Sequence, residues 1–244
     1  MGKEPPTSGP SSPSYQFPDT QWLLVDEARR GCAEAVGKLC LLYWDPIYAF
    51  LRRSGNSPHD AEDLTQAFFA HLLRNEGLMS ADSSKGKMRT YLLTAVQNFS
   101  HSEHAKATAQ KRGGDQPTIS IDQALAEERY SFEPSHEITP DRMFDRRWAI
   151  ALLQRALGRL EEHYRDLGKT DVFDTLQPFL ERGPEAGSYA AATRQLGMSE
   201  TGFKQTVFRF RKLYQTKLRD EVRLTVGGEE DVDRELGQLL DALR

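Results

Sequence analysis

Residues 188–213 read SYAAATRQLGMSETGFKQTVFRFRKL, and this stretch carries the clearest local fold signal in the chain. A short helical segment is followed by a break at residues 196–198 and by a longer helical segment after Ser199. Glycine adopts the left-handed conformation without steric cost, so Gly197 suits the end of the first segment. Serine is a preferred N-cap residue, so Ser199 suits the start of the second. The stretch therefore predicts two helices joined by a tight turn.

The second of these helices is predicted to have two chemically different faces. Its apolar residues recur at helical spacing and are expected to pack inward: Phe203, Val207, Phe210 and Tyr214. The outward positions are polar and mostly basic, which is typical of a helix-turn-helix whose second helix enters the major groove of DNA. We expect Lys204 and Gln205 to reach base edges, since they lie near the start of that helix. An ordinary helical hairpin with a solvated basic face is the alternative.

The rest of the chain also predicts helices. Among its 244 residues, 38% are apolar, and they recur at intervals of three and four with little β-type alternation. The predicted fold class is therefore all-α. No run of 18 apolar residues is present, so no membrane span is predicted. Residues 1–18 are rich in proline, serine and glycine, which predicts a disordered tail and not a signal peptide.

Two helices in the first half have well-marked boundaries and stripes. One opens at Ser57-Pro58-His59-Asp60, where serine, proline and aspartate each suit the start of a helix. The predicted buried stripe of this helix consists of Ala61, Leu64, Phe68 and Leu72. Phe69 and Leu73 lie beside it. The next predicted stripe consists of Met88, Leu92, Ala95 or Val96, and Phe99. The polar residues of the first helix lie on another face, which we expect to be exposed and able to bind a partner.

Glycine, proline and charge suggest the domain boundaries. We expect a disordered tail at 1–18, a first helical domain at 19–112 and an acidic, proline-containing linker at 113–145. A second domain is expected at 146–225, with its second helix at about 170–181, and an acidic segment at 226–244. These two small helical domains are the predicted architecture.

The net charge of −4 hides a segregated distribution. Residues 188–219 contain seven lysines and arginines against Glu200, whereas residues 227–244 contain six acidic residues against Arg234 and Arg244. A basic block beside an acidic one predicts weak binding to free DNA, with affinity supplied when another body positions the basic block.

The two cysteines, Cys32 and Cys40, are eight residues apart in a helical pattern. On a straight helix this spacing corresponds to about 12 Å, which is too long for a disulfide. Two thiols without a neighbouring histidine also make a poor zinc site. We therefore expect reduced core residues in a cytoplasmic protein.

Three segments together carry a family resemblance. Residues 60–66, DAEDLTQ, resemble the signature helix of sigma region two, and residues 89–99, RTYLLTAVQNF, are similar to the segment that follows it. The predicted helix-turn-helix resembles region four, in the expected order. YWDP at 43–46 and QKRGG at 110–114 resemble a bacterial subgroup of these factors. Over about residues 20–225 the chain thus resembles a sigma-70-type RNA polymerase sigma factor of the extracytoplasmic-function (ECF) group.

The resemblance implies a mechanism and a set of sites. Region two would dock on the clamp helices of RNA polymerase through Asp60, Asp63 and Gln66 and would open the promoter at its minus-ten element. The implied minus-ten residues are Asn98, His101, His104, Lys106, Lys111 and Arg112. Region four would sit on the polymerase flap and read the minus-thirty-five element. The residues assigned to it are Ser199, Thr201, Lys204, Gln205, Arg209, Arg211 and Lys212, the last three as phosphate ligands.

The same resemblance implies no catalytic group and no cofactor, because the polymerase performs the chemistry. Core RNA polymerase and promoter DNA are the expected partners, and an anti-sigma factor is a candidate further partner. Residues 189–193 and 100–106 depart from the family pattern, and the second of these is poor in aromatic and arginine residues. A sigma-like adaptor that binds DNA or polymerase without initiating transcription is therefore the alternative. A metal enzyme built on His101 and His104 lacks an evident third ligand.

Overall fold

The computed structural model describes residues 25, 27–28, 30–74, 87–109, 138–180, 186–226 and 228–244. The long elements within these ranges are eight α-helices: α1 (Ala33–Arg53), α2 (Pro58–Arg74), α3 (Met88–Ala109), α4 (Pro140–Asp166), α5 (Thr170–Leu176), α6 (Ala186–Gln195), α7 (Glu200–Arg223) and α8 (Glu230–Ala242). The all-α prediction is confirmed. The predicted N-terminal tail, Lys111, Arg112 and most of the predicted linker lie outside the described residues.

Side-chain caps fix the starts of α2 and α4. The Ser57 hydroxyl accepts a hydrogen bond from the Asp60 amide at 3.1 Å at the start of α2. Thr139 accepts one from the Arg142 amide at 3.3 Å, and Pro140 follows as the first residue of α4. Each cap satisfies an N–H group that has no partner inside its own helix.

The first apolar cluster is built by α1, α2 and α3 together with the first half of α4. Tyr43 of α1 stacks on Trp148 of α4, with ring centroids 4.9 Å apart. The predicted stripes of α2 and α3 are buried in this cluster at Ala61, Phe68, Phe69, Leu72, Met88, Leu92, Val96 and Phe99. Leu64 is only half-buried and Leu73 is 37% exposed, so the stripe of α2 is narrower than predicted.

The second cluster joins the end of α4 to α5, α6 and α7. It is rich in aromatic rings: Phe173 packs edge-on against Phe210 at 5.9 Å, and Phe179 packs edge-on against Phe203 at 5.2 Å. Leu160 of α4 is buried in it. Two helices fix one cluster relative to the other, because α4 runs continuously from the first cluster to the second and α7 buries Val222 in the first cluster and Phe203 in the second.

The two clusters do not coincide with the predicted boundaries. Residues 140–145 of the predicted linker already belong to α4, and Phe144 is buried in the first cluster. The predicted acidic C-terminal segment forms α8, whose Val232 and Leu239 pack into that same cluster. The helix predicted at 170–181 ends earlier: α5 stops at Leu176 and a 3₁₀ turn follows at Gln177–Phe179. Pro178 lacks an amide donor, which accounts for that ending.

The cysteines lie differently from the prediction. Cys32 is exposed at the N-cap of α1, so the expectation that it is a core residue is wrong. A residue before the first helical turn lies outside the helix stripe, which explains the error. Cys40 is half-buried against the first cluster, and burial raises the pKa of its thiol. None of the described helices is long and apolar enough to cross a membrane.

Candidate nucleic-acid and polymerase interface

The two helices and the tight turn that residues 188–213 predict are present as α6, the turn at Gly197 and α7. Gly197 has a φ of +63°, the left-handed conformation that the sequence predicts. The amide of Met198 donates to the carbonyl of Thr193 at 3.0 Å and closes the end of α6. Ser199 then caps α7 by accepting from the Gly202 amide at 3.2 Å. The turn is therefore held by backbone and cap hydrogen bonds on both sides.

The angle between α6 and α7 is maintained by buried contacts. Ala192 of α6 is buried in the second cluster, where its small side chain takes up little space. Tyr189 of α6 packs edge-on against Phe203 of α7 at 5.3 Å. Phe203, Val207 and Phe210 are buried, and Tyr214 is half-buried, as the helical spacing predicts. The opposite side of α7 is consequently turned outward.

That outward side carries six of the seven predicted minus-thirty-five residues. All six are exposed: Ser199, Thr201, Lys204, Gln205, Arg209 and Lys212. The Lys204 ammonium pairs with the Glu200 carboxylate at 2.6 Å, and both side chains are well exposed. This contact and the charge of Glu200 raise the pKa of Lys204, which stays a cation. The surface can thus present three cations and an amide to a polyanion.

Arg211 has a different environment from the other six. It is half-buried, and its Nε and Nη2 atoms donate to the carbonyl of Phe179 at 2.8 and 2.6 Å. A carbonyl at the end of a helical turn has no partner within that turn, and a guanidinium group can satisfy it. Arg211 therefore ties α7 to the 3₁₀ turn, and its assignment as a phosphate ligand stays a prediction.

The predicted polymerase-binding residues lie on the first turns of α2. Asp60 and Asp63 are exposed, and Gln66 is half-buried. The Ser57 hydroxyl donates to Asp60 at 2.6 Å, and His59 lies 3.7 Å from the Asp63 carboxylate. Carboxylates suit the positive end of a helix, which lowers the cost of placing two there.

The structure brings this acidic turn beside the predicted minus-ten segment of α3. Asp60 and Asp63 line a shallow cleft together with Ser100, Glu103 and His104. His101 and Lys106 are exposed on α3, and Lys106 pairs with Glu103 at 2.7 Å.

A second cleft lies between α2 and α3 and contains Asn98, the remaining described residue of those predicted for the minus-ten element. Tyr91 and His71 line this cleft as well, with Phe99 and Lys106. Neither of these aromatic side chains is among the residues that the sequence predicts for the minus-ten element. Tyr91 precedes Asn98 by seven residues, two helical turns, so the shared face was predictable from spacing. His71 lies on α2, and only the packing of the two helices brings it here; its ring is 5.5 Å from that of Phe99.

A buried ion-pair network anchors α8 to the start of α3. The carboxylate of Glu235, fully buried, binds Arg89 and Lys87, each at 2.7 Å. Gln238 accepts a further hydrogen bond from Arg89 at 2.9 Å. The amide of Met88 donates to the carbonyl of Thr225 at 3.1 Å, just beyond the end of α7. The end of α7 is therefore fastened to the domain that contains α2 and α3.

Among the described residues, no three histidine, cysteine, aspartate or glutamate side chains are grouped so that they could hold a metal ion.

Comparison with known families identifies the first domain. Residues 42–110 match the family described as Sigma-70 region 2, a range that covers the second half of α1, all of α2 and α3. No curated protein and no solved structure matches the chain. The matched range includes the acidic turn of α2 and both clefts. This match supports a role for the chain in transcription initiation. Residues 42–110 of this chain are therefore similar to region 2 of the sigma-70 family.

Proposed function

We propose that this protein is a cytoplasmic sigma factor of the extracytoplasmic-function group that directs core RNA polymerase to particular promoters. In this proposal α2 docks on the clamp helices of the polymerase, and α3 holds the opened minus-ten element. The helix-turn-helix of α6 and α7 sits on the flap and reads the minus-thirty-five element.

The observation that carries the proposal is the two-sided character of α7 in a chain that has a sigma region 2. Its inner side is buried among aromatic rings, and its outer side exposes Lys204, Gln205, Arg209 and Lys212. Cations and an amide at the start of a second helix are the groups that bind phosphates and base edges in the major groove. This surface therefore suits the DNA-reading role.

For the minus-ten element, the second cleft supplies the phenylalanine and tyrosine rings that residues 100–106 lack. Bases that are flipped out of a duplex stack on flat rings, at about 1–3 kcal/mol per base. Tyr91 and His71 line the cleft near Asn98, with Lys106 at its edge. Strand capture is thus proposed to use rings from α2 and α3, with the exposed His101 and His104 beside the strand.

Run-off transcription with purified core polymerase tests the proposal. The wild-type chain is expected to give a transcript from promoters selected from a random library. A double variant, Asp63→Arg with Gln66→Ala, is expected to lose core binding while keeping its helical circular dichroism. Glu34→Gln, an exposed acid on α1 outside the matched range, is the matched control. Core binding without any transcript would favour the adaptor over the initiation factor.

Two substitutions on α7 separate base reading from phosphate binding. Lys204→Ala is expected to relax the preference at one base pair, at a cost of about 1–3 kcal/mol. Arg209→Ala is expected to weaken binding to all sequences equally and to flatten the salt dependence. If both variants keep the wild-type selectivity and salt slope, another surface reads the DNA.

Opening can be followed by permanganate reactivity of the melted thymines. His104→Ala is expected to open less DNA and His104→Trp more, since an indole offers a larger stacking face than an imidazole. Equal opening by all three proteins would exclude His104 from strand capture.

A further inference from the structure

Phe208 is placed unlike every other phenylalanine that the structure describes. Nine of those ten side chains are buried, with exposed fractions of 6% or less: Phe50, Phe68, Phe69, Phe99, Phe144, Phe173, Phe179, Phe203 and Phe210. Phe208 is 68% exposed on α7. Its neighbours along the helix, Val207 on one side and Phe210 two residues on, point into the second cluster. Its exposure is therefore a property of its face and not of a poorly packed helix.

The surroundings of Phe208 are basic and polar. On an α-helix, side chains three and four residues apart are neighbours, so Phe208 lies beside Lys204, Gln205 and Lys212. All three are exposed, and Arg209 adjoins it in sequence and is exposed too. Phe208 is therefore an apolar group within the surface proposed to enter the major groove. Cations around an aromatic ring disfavour contact with an apolar protein surface. The same arrangement favours contact with a polyanion that offers a local apolar group.

Base edges in the major groove offer one apolar group, the 5-methyl of thymine. We propose that Phe208 packs against a thymine methyl of the minus-thirty-five element and so determines specificity for thymine at one position. This inference rests on the proposed function of α7. In this arrangement Lys204 and Gln205 contact the base pairs nearer the start of the helix, and Arg209 and Lys212 bind the flanking phosphates.

Replacing thymine by uracil tests this directly, because the substitution removes the methyl group and leaves the hydrogen-bonding edge unchanged. Promoters selected by the wild-type holoenzyme are synthesised with deoxyuridine at each thymine of the element in turn. At one position the wild type is expected to lose about fourfold in affinity, the value of one buried methyl-sized group. Phe208→Ala is expected to bind the two DNAs equally, and Phe208→Leu to retain part of the discrimination.

Leu240→Ala is the matched control, since Leu240 is an apolar side chain that is 55% exposed on α8. It is expected to keep the full sensitivity to uracil. Sensitivity to uracil that is the same in wild type and Phe208→Ala overturns the inference, as does a selected element without a thymine. Loss of core binding by Phe208→Ala, with uracil sensitivity unchanged, would instead assign Phe208 to a protein contact. If the wild-type chain directs no transcription at all, the proposed function itself fails.

Discussion

Two ion pairs of almost equal length have opposite roles in this molecule. Glu235 binds Arg89 at 2.7 Å, with exposed side-chain fractions of 0% and 12%. Glu200 binds Lys204 at 2.6 Å, with exposed fractions of 67% and 59%. The first pair joins residues 146 positions apart and connects α8 to α3. The second joins residues four apart on one turn of α7. The bond distances alone therefore do not distinguish the two ion pairs.

Exposure to solvent distinguishes the two ion pairs. A buried charge is desolvated, so removing its partner leaves an uncompensated charge in the interior and strongly destabilises the fold. An exposed pair exchanges its contact for water at little cost, because water solvates both ions. The buried pair therefore fixes architecture, while the exposed pair leaves Lys204 available to another anion. Substitutions can accordingly alter the architecture and the proposed DNA reading separately.

The largest effect is expected from breaking the buried pair. Arg89→Ala removes the guanidinium that Glu235 and Asp145 both contact, and we expect a loss of about 3–5 kcal/mol in the free energy of unfolding. Urea denaturation followed by circular dichroism measures it. Arg234→Ala, which removes an exposed i,i+3 partner of Asp231, is the control and should leave stability nearly unchanged. Comparable losses in the two variants would erase the contrast between buried and exposed pairs.

The pH dependence of stability sharpens the same contrast. Burial raises the pKa of Glu235, but hydrogen bonds from Arg89 and Lys87 outweigh it and hold the pKa below its ordinary value of 4.5. A carboxyl group with a lower pKa in the folded state binds fewer protons there than in the unfolded state. Its stabilisation is therefore complete above pH 4.5 and is lost as the pH falls through the folded-state pKa.

Glu235→Gln should remove this part of the acid sensitivity, whatever it does to stability at neutral pH. Glu230→Gln, at an exposed position on the same helix, should retain the wild-type profile. Denaturation midpoints measured across the acidic range distinguish the two. A wild-type profile in Glu235→Gln would assign the acid sensitivity to other carboxylates.

Local periodicity explains what the sequence predicted correctly. Phe203, Val207 and Phe210 recur at helical spacing, so the buried face of α7 follows from the residues themselves. The turn at Gly197 and the cap at Ser199 are equally local, and both are present. These features determine which face of α7 is outward, and hence most of the candidate DNA-binding surface.

Long-range partners explain what the sequence did not predict. Arg211 is held by a backbone carbonyl of Phe179, and no side-chain pattern records such a contact. Val232 and Leu239 are seven residues apart and do form a readable stripe, but Glu235 lies between them on the same face. A carboxylate in an apolar stripe argues against burial unless its partner is known. That partner, Arg89, is supplied by a distant helix, which a single sequence does not disclose.

The cap of α7 should give an intermediate effect. Ser199 is exposed like Lys204, yet its hydroxyl satisfies the Gly202 amide at 3.2 Å. Ser199→Ala is expected to cost about 1 kcal/mol in the free energy of unfolding, and Ser199→Gly only a few tenths. Thermal denaturation of both variants measures the difference. If alanine and glycine cost the same, the hydroxyl is not the stabilising group at this position.

The smallest effect on stability, with a distinct effect on DNA binding, is expected from the exposed pair. Glu200→Gln should leave the melting temperature unchanged, because both members of the pair are solvated. It should tighten binding to promoter DNA, since Lys204 no longer has to leave a carboxylate and the DNA phosphates no longer face an anion there. One additional effective cation should steepen the slope of log affinity against log salt by up to about 0.9. Filter binding of the holoenzyme at several salt concentrations measures that slope, with Glu230→Gln on α8 as the control for an equal change in net charge. Equal slopes in the wild type, Glu200→Gln and Glu230→Gln would mean that Lys204 does not exchange its carboxylate for DNA. The exposed pair would then have no more to do with DNA reading than the buried one.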